Sequence, residues 1–262
     1  MKFANVDSRR QTAQPGLRGT CPECDEPVLA KCGEVRVHHW AHEVRSNCNS
    51  RWESEGPWHQ NWKNHFPPEW QEVIHLASDG ERHIADVKTG DGWVLEFQHS
   101  FLKPAERRSR DAAYSDLVWV VDALRRKRDL AQLEKAWDRG RPVSGNQMLR
   151  RVDPDGCTLL REWGGSPGPV FFDIGDDKNL VWLLPRKPGA GIYMTLFARE
   201  MFIGIHCGSA TEMAIDFHKF VKEFADLVQK FEASLRARAA YRNPPFVPFP
   251  TRRRGRRRRH PL

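Results

Sequence analysis

No apolar run in this chain approaches the ~20 residues a membrane span requires, so no membrane partner is expected. The N-terminus, MKFANVDSRRQTAQ, lacks the apolar stretch of a secretory signal, which places the protein in the cytoplasm. That location argues against a disulfide framework for the six cysteines. No internal repeat is present. Acid is missing from residues 252–259, which hold seven arginines; without them the net charge of +8 falls to about +1. The basic character therefore belongs to a tail, not to a patterned face. Such a tail holds a phosphate backbone through counterion release, or it is simply a solvated end. What is present suits a soluble globular protein: 262 residues, 39% hydrophobic, with ten tryptophans. That length allows one large domain or two modest ones.

The punctuation of the chain divides it into five parts. Residues 1–18 are polar and read as a loose arm. Residues 19–50 are compact, rich in cysteine and histidine and poor in large aliphatics, too small to fold without a staple. Residues 51–140 read as an αβββαβ series. A helix from Glu53 to His65 is ended by Pro67-Pro68. Strands follow at Trp70–Leu76, Arg82–Lys88 and Trp93–His99, then a helix from Pro104 to about Tyr114. Leu117–Val121 is a continuous apolar run, as a strand buried on both faces requires. Residues 124–138 look helical. Residues 141–240 read as an accessory α/β domain for dimerisation or a protein partner. It is mostly β over 143–208, with strands near Pro169–Ile174, Leu180–Leu184 and Ile192–Phe197, and carries one amphipathic helix over 209–240. Residues 241–262 form the Pro- and Arg-rich basic tail. The expected fold class is α/β (α+β).

Cys21-Pro-Glu-Cys24 followed by His39-Trp-Ala-His42 gives a C-x2-C…H-x2-H set. Zinc takes four thiolate or imidazole ligands in a tetrahedron, and two close-spaced pairs supply it. The expectation is one structural zinc on Cys21, Cys24, His39 and His42. Cys32, His38 and Cys48 are competitors that could displace a histidine. Four protein ligands leave no open position for a substrate, which argues against a catalytic zinc.

The second cluster lies on the strand pair. Arg82-His-Ile-Ala-Asp86-Val turns into Val94-Leu-Glu96-Phe-Gln98. Alternation puts Glu96 and Gln98 on one face and Leu95 and Phe97 into packing. Two carboxylates on adjacent strands can converge on one hard cation such as Mg²⁺ or Mn²⁺, with Gln98 placed to position water. Glu55 and His59 lie four apart on the first helix with Lys63 a turn further; Arg110 and Tyr114 lie four apart on the second. Each pair alone is ordinary. Their ordered combination is not.

Read together, CPEC, HHWAH, ESEGPWHQNWK, RHIADV, VLEFQHS, the R-x3-Y of Arg110 to Tyr114 and the VWVV strand resemble the CoiA-like competence protein family, a member of the PD-(D/E)XK nuclease superfamily. The resemblance spans residues 20–122. It implies a divalent-metal-dependent nuclease (a hydrolase of DNA, single- or double-stranded) with a zinc-ribbon-like N-terminus. It makes Asp86 and Glu96 the metal ligands and Glu55 the helix-borne acid beside His59, with Glu53 the competing choice. Gln98 stands where the superfamily commonly has lysine, so Lys63, Lys88 or Arg110 would supply the missing cation. The competing function is a catalytically silent DNA- or partner-binding protein that keeps the fold. Endo- or exonuclease action, DNA or RNA, and a role in competence, repair or phage defence are left open by the residues.

Overall fold

The computed structural model describes residues 1–44, 56–76, 82–143, 146–185, 190–208 and 216–242. The expectations for Cys48, Glu53, Glu55 and the tail 252–262 lie outside the described residues. Two sheets organise the rest.

The first is a five-stranded antiparallel sheet in the order β2-β1-β3-β4-β5, built from β1 (Phe3–Val6), β2 (Arg9–Thr12), β3 (Arg18–Thr20), β4 (Pro27–Lys31) and β5 (His39–His42). Residues 1–18 are thus not a loose arm. Val6 pairs with Arg9 across a two-residue turn in which Asp7 and Ser8 both have positive φ, 48° and 62°. That twist suits a hairpin, but the usual Asn-Gly or Asp-Gly signal is missing, so the sequence hides it. Gly19 permits β3 to approach β1: a Cβ there would lie 2.6 Å from the Asn5 carbonyl oxygen. Met1, Ala4, Ala13, Cys21, Val28 and Trp40 form the small core, with the Trp40 indole donating to the Gln11 carbonyl (3.0 Å).

The second sheet has nine strands among the described residues. They are β6 (Gln71–Leu76), β7 (Arg82–Lys88), β8 (Val94–Gln98), β9 (Leu117–Asp122), β10 (Arg141–Val143), β11 (Asn146–Val152), β12 (Val170–Asp173), β13 (Asn179–Leu183) and β14 (Ile192–Ala198). The order is β10-β11-β14-β13-β12-β9-β8-β7-β6. Only β8/β9 and β9/β12 pair in parallel. With α1 (Pro57–Lys63) and α2 (Pro104–Ala113), the chain from 57 to 122 runs α1-β6-β7-β8-α2-β9, an αβββαβ order. Both helices carry proline in the first turn, where its missing N–H costs nothing.

β9 is buried along its whole length. Leu117, Trp119 and Val121 enter one core, with residues of α2, α3 (Asp129–Arg139) and α4 (Thr158–Trp163). Val118 and Val120 enter the other, with residues of α1, α5 (Arg199–Cys207) and α6 (Phe217–Arg242). The stretch expected as a separate accessory domain over 141–240 instead extends this sheet from β9, because β12 pairs in parallel beside it. Its reading as mostly β over 143–208 also missed α4 and α5. Both are short, six and nine residues, too few turns for a helical period to stand out.

Candidate active site and metal centre

β3 and β4 are joined by a tight turn. The Cys21 N–H donates to the Glu26 carbonyl (2.9 Å), and the Asp25 N–H to the Cys21 carbonyl (2.9 Å). The turn brings the two sulfurs together, and His42 on β5 completes the group: the ligand atoms of Cys21, Cys24 and His42 lie within 4.8 Å of one another. His42 Nε2 is 3.3 Å from Cys24 Sγ. These three residues could hold a metal ion. His39 does not join them. Both histidines sit on a strand, where residues three apart face opposite sides. His42 shares the side of Trp40, which enters the module's core, and the His39 Nδ1–H donates to the Val37 carbonyl (2.8 Å). An H-x2-H pair serves one ion on a turn or helix; here the extended backbone separates it.

The carboxylates of the second cluster meet where β7 and β8 part. Val87 pairs with Leu95, so one further step sets Asp86 opposite Glu96. There the ladder ends, and the Phe97 N–H is taken by Asp86 Oδ2 (2.8 Å) instead of by a carbonyl. Alternation slips at this point: Ala85 joins one core and Val87 the other. Asp86 thereby fills the opening and is reached from α1, whose His59 Nε2 lies 2.9 Å from the same oxygen. As expected, Leu95 and Phe97 pack into the core beneath α1.

Glu96 is 1% exposed. Arg110 of α2 donates to its Oε2 and lies 3.5 Å from Glu106, one turn back on the same helix. Oε1 of Glu96 is buried without a partner among the described residues. The two carboxyl groups are driven apart in acidity. Burial works to raise Asp86, but the His59 imidazole, the Lys63 ammonium and the Phe97 N–H outweigh it and hold the group below the usual range. Burial pushes Glu96 up to about 8; the Asp86 charge adds to the rise and Arg110 offsets only part of it. Tyr114, just past α2, is held above its ordinary value by burial and by the Glu96 charge, and its hydroxyl also has no partner among the described residues.

Asp86, His59, Glu96, Arg110 and Tyr114 are therefore brought together. Gln98 is buried beside them, but its amide nitrogen donates to the Ser100 carbonyl (3.0 Å), which ties it to the loop after β8. Of the three candidate cations, Arg110 reaches Glu96 and Lys63 acts on Asp86.

Lys63 has a second role that sequence reasoning missed. Its ammonium is fully buried and donates to Glu72 Oε1 (2.8 Å). The same carboxylate accepts from the N–H groups of Lys2 (2.8 Å) and Phe3 (3.1 Å) at the start of β1. Glu72 thus joins the first sheet to the second. No sequence signal marks it, since its partners lie about 70 positions away.

Neither the curated proteins nor the solved structures give a match to this chain. Residues 10–51 match the family model described as competence protein CoiA, N-terminal domain, which covers β3 to β5 with Cys21, Cys24 and His42. That match likens the N-terminal sheet, not the whole chain, to the CoiA N-terminal domain.

Proposed function

We propose that this protein is a divalent-metal-dependent nuclease of the PD-(D/E)XK type, with its centre at Asp86 and Glu96 and a structural zinc in the N-terminal sheet. The observation that carries the reading is the buried Glu96 carboxylate oxygen with no partner among the described residues, beside a second carboxylate held ionised. A buried polar atom left unpaired calls for an explanation, and a bound cation is one. Two carboxylates are suitable hard ligands for Mg²⁺ or Mn²⁺. The αβββαβ order and the carboxylates at the parting of β7 and β8 agree with it.

When bound, the cation would stabilise the charge developing on a phosphodiester. The chain's own residues do the rest. His59 and Lys63 keep Asp86 ionised. Arg110 would supply the cation that Gln98, in the place of the superfamily's lysine, does not, by turning from Glu96 to an anionic phosphate. Glu96 would hold the cation only in its ionised form, so proton and metal compete for its oxygens. DNA is chosen as substrate on the match to a competence protein domain. For the zinc, Cys21, Cys24 and His42 supply three ligands, and Cys32, His38 or Cys48 the fourth.

The test is incubation of the purified chain with linear, circular and single-stranded DNA, and with RNA, under Mg²⁺, Mn²⁺ or chelator. Cleavage of DNA that needs the metal is expected, with activity lost by at least about a thousandfold in Asp86→Ala and Glu96→Ala, as removal of a metal ligand requires. Gln98→Ala should cost less, because a neutral amide tied to Ser100 supplies no charge. Full activity in a folded Glu96→Ala would end the proposal. A second reading has its own support: both carboxylates already have partners in the protein, His59 and Arg110, as a silent binding protein would need. Metal-independent DNA binding without cleavage would favour it.

A further inference from the structure

Beyond the candidate centre, a cavity of about 370 Å³ opens between α2 and α4 at the carboxyl ends of the parallel strands β8 and β9. Its walls come from the loop after β8 (Phe101, Leu102), the loop after β9 (Arg125), α2 (Arg107) and α4 (Arg161, Glu162, Trp163). Three guanidinium groups face it against one carboxylate. That carboxylate is already spent, since Glu162 is held by Arg125 at 2.8 Å and by Arg126 at 2.7 Å.

The lining is rich in donors that the protein does not satisfy. The indole N–H of Trp163, a residue 3% exposed, has no acceptor among the described residues. The Nε–H groups of Arg107 and Arg125 make no hydrogen bond among the described residues, the nearest carboxylates, Asp111 and Asp129, lying 3.8 and 4.0 Å away. Burial, and after it the neighbouring Arg126, lower the pKa of Arg125 against the opposing carboxylates of Glu162, Asp129 and Asp122. An unmet buried donor costs on the order of 1–3 kcal/mol, and more for a charged one. Each shortfall is of one kind: every group lacks an acceptor. At the rim, Phe101 is 65% exposed and presents an aromatic face to solvent. Arg161 is exposed, its guanidinium donating to Thr158 at 3.3 Å.

We propose that this cavity binds a nucleoside monophosphate unit, its phosphate among Arg107, Arg125 and Arg161 and its base against Phe101. Guanidinium groups are suited to a phosphate through paired N–H donors. An aromatic face holds a base by stacking, without preference for its identity. The volume falls in the range of small-ligand pockets. Arg107 stands one helical turn before Arg110, so the cavity and the candidate centre are neighbours on α2. The unit is either a free nucleotide or the phosphorylated end of a strand lying across that centre. Choosing a nucleotide over other phosphate monoesters rests on the nuclease reading; the demand for an anion does not.

Binding is measured by calorimetry on the full chain without added divalent metal, using dAMP, deoxyadenosine, and one oligonucleotide with or without a 5′-phosphate. dAMP should bind, and deoxyadenosine at least about tenfold more weakly. Arg161→Glu should remove that difference, and Arg161→Lys restore most of it. Arg161 makes only one long bond to its own helix, so the exchange should leave melting unchanged. Tighter binding of the phosphorylated oligonucleotide, lost in Arg161→Glu, assigns the cavity to strand ends; equal binding of the two with dAMP still bound assigns it to free nucleotide. No dAMP binding, or binding indifferent to Arg161→Glu in the folded variant, overturns the proposal. Cleavage without dAMP binding would sink this inference alone, and dAMP binding without cleavage would sink only the nuclease reading.

Discussion

Glu96 and Asp86 sit on neighbouring strands and respond to burial in opposite ways, because each has different company. Asp86 is flanked by an imidazole and a backbone N–H; Glu96 meets one guanidinium and a second carboxylate. The consequence can be measured in metal-free protein. A carboxyl group whose folded pKa is raised contributes stability that is present below its unfolded value, near 4.5, and lost as pH rises through about 8. Melting temperature should therefore fall from pH 5 to pH 8, by an amount on the order of a few kcal/mol in stability. Glu96→Gln should flatten that slope. Asp86 has the opposite sign: its contribution is present above the unfolded value and lost as the solution becomes acidic. Mg²⁺ should raise melting more at pH 8 than at pH 5, since a proton competes for the Glu96 oxygen. A slope identical in wild type and Glu96→Gln would show that Glu96 is not the titrating group.

At the scale of elements, the metal group depends on the β3–β4 turn and on one face of β5. Their core is small, with Trp40 its one fully buried large side chain, so much of the local stability is expected to come from the ion. Cys24→Ser should make residues 19–44 selectively sensitive to protease while the nine-stranded sheet stays resistant. His39→Ala should leave bound zinc at its wild-type level, whereas His42→Ala should lower it. Metal analysis decides between them, and loss of zinc in His39→Ala would return that residue to the ligand set. The C-x2-C spacing was legible because it encodes a turn. The H-x2-H spacing was not, because the same letters serve one face of a turn or two faces of a strand, and HWAH does not say which.

For the whole molecule, Glu72 is one joint between the two sheets, beside Arg10 of β2, which donates to the Pro68 and Gln71 carbonyls. A lone buried ammonium costs several kcal/mol, and its partner repays that only when the remaining hydrogen bonds are met. Glu72 meets them with the Lys2 and Phe3 N–H groups, and Lys2 Nζ adds bonds to Asn64 (2.6 Å) and Gln71 (2.8 Å). Glu72→Ala should destabilise by about 3–5 kcal/mol, the usual cost of stranding one partner of a buried pair. Glu72→Gln keeps an acceptor and should cost less. Denaturant unfolding measures both; equal losses would mean that the charge paired with Lys63, not the backbone contacts, dominates.

Some of this was settled by sequence alone, wherever the deciding interaction is local. Alternation in VLEFQ placed Leu95 and Phe97 in the core, Pro104 opened a helix, the uninterrupted LVWVV run marked a strand covered on both sides, and CPEC made a turn. These follow from backbone geometry and side-chain period, which act over a few residues. Tertiary structure decided what depends on partners far along the chain. Continuation of the sheet from β9 into β12 merged two expected domains, because a strand edge pairs with whatever edge the fold brings to it. The slip at Asp86, the burial that raises Glu96, and the docking of β1 on Glu72 likewise arise from neighbours 10 to about 70 positions away. A sequence records such residues without recording their distances, and electrostatics and burial are functions of distance.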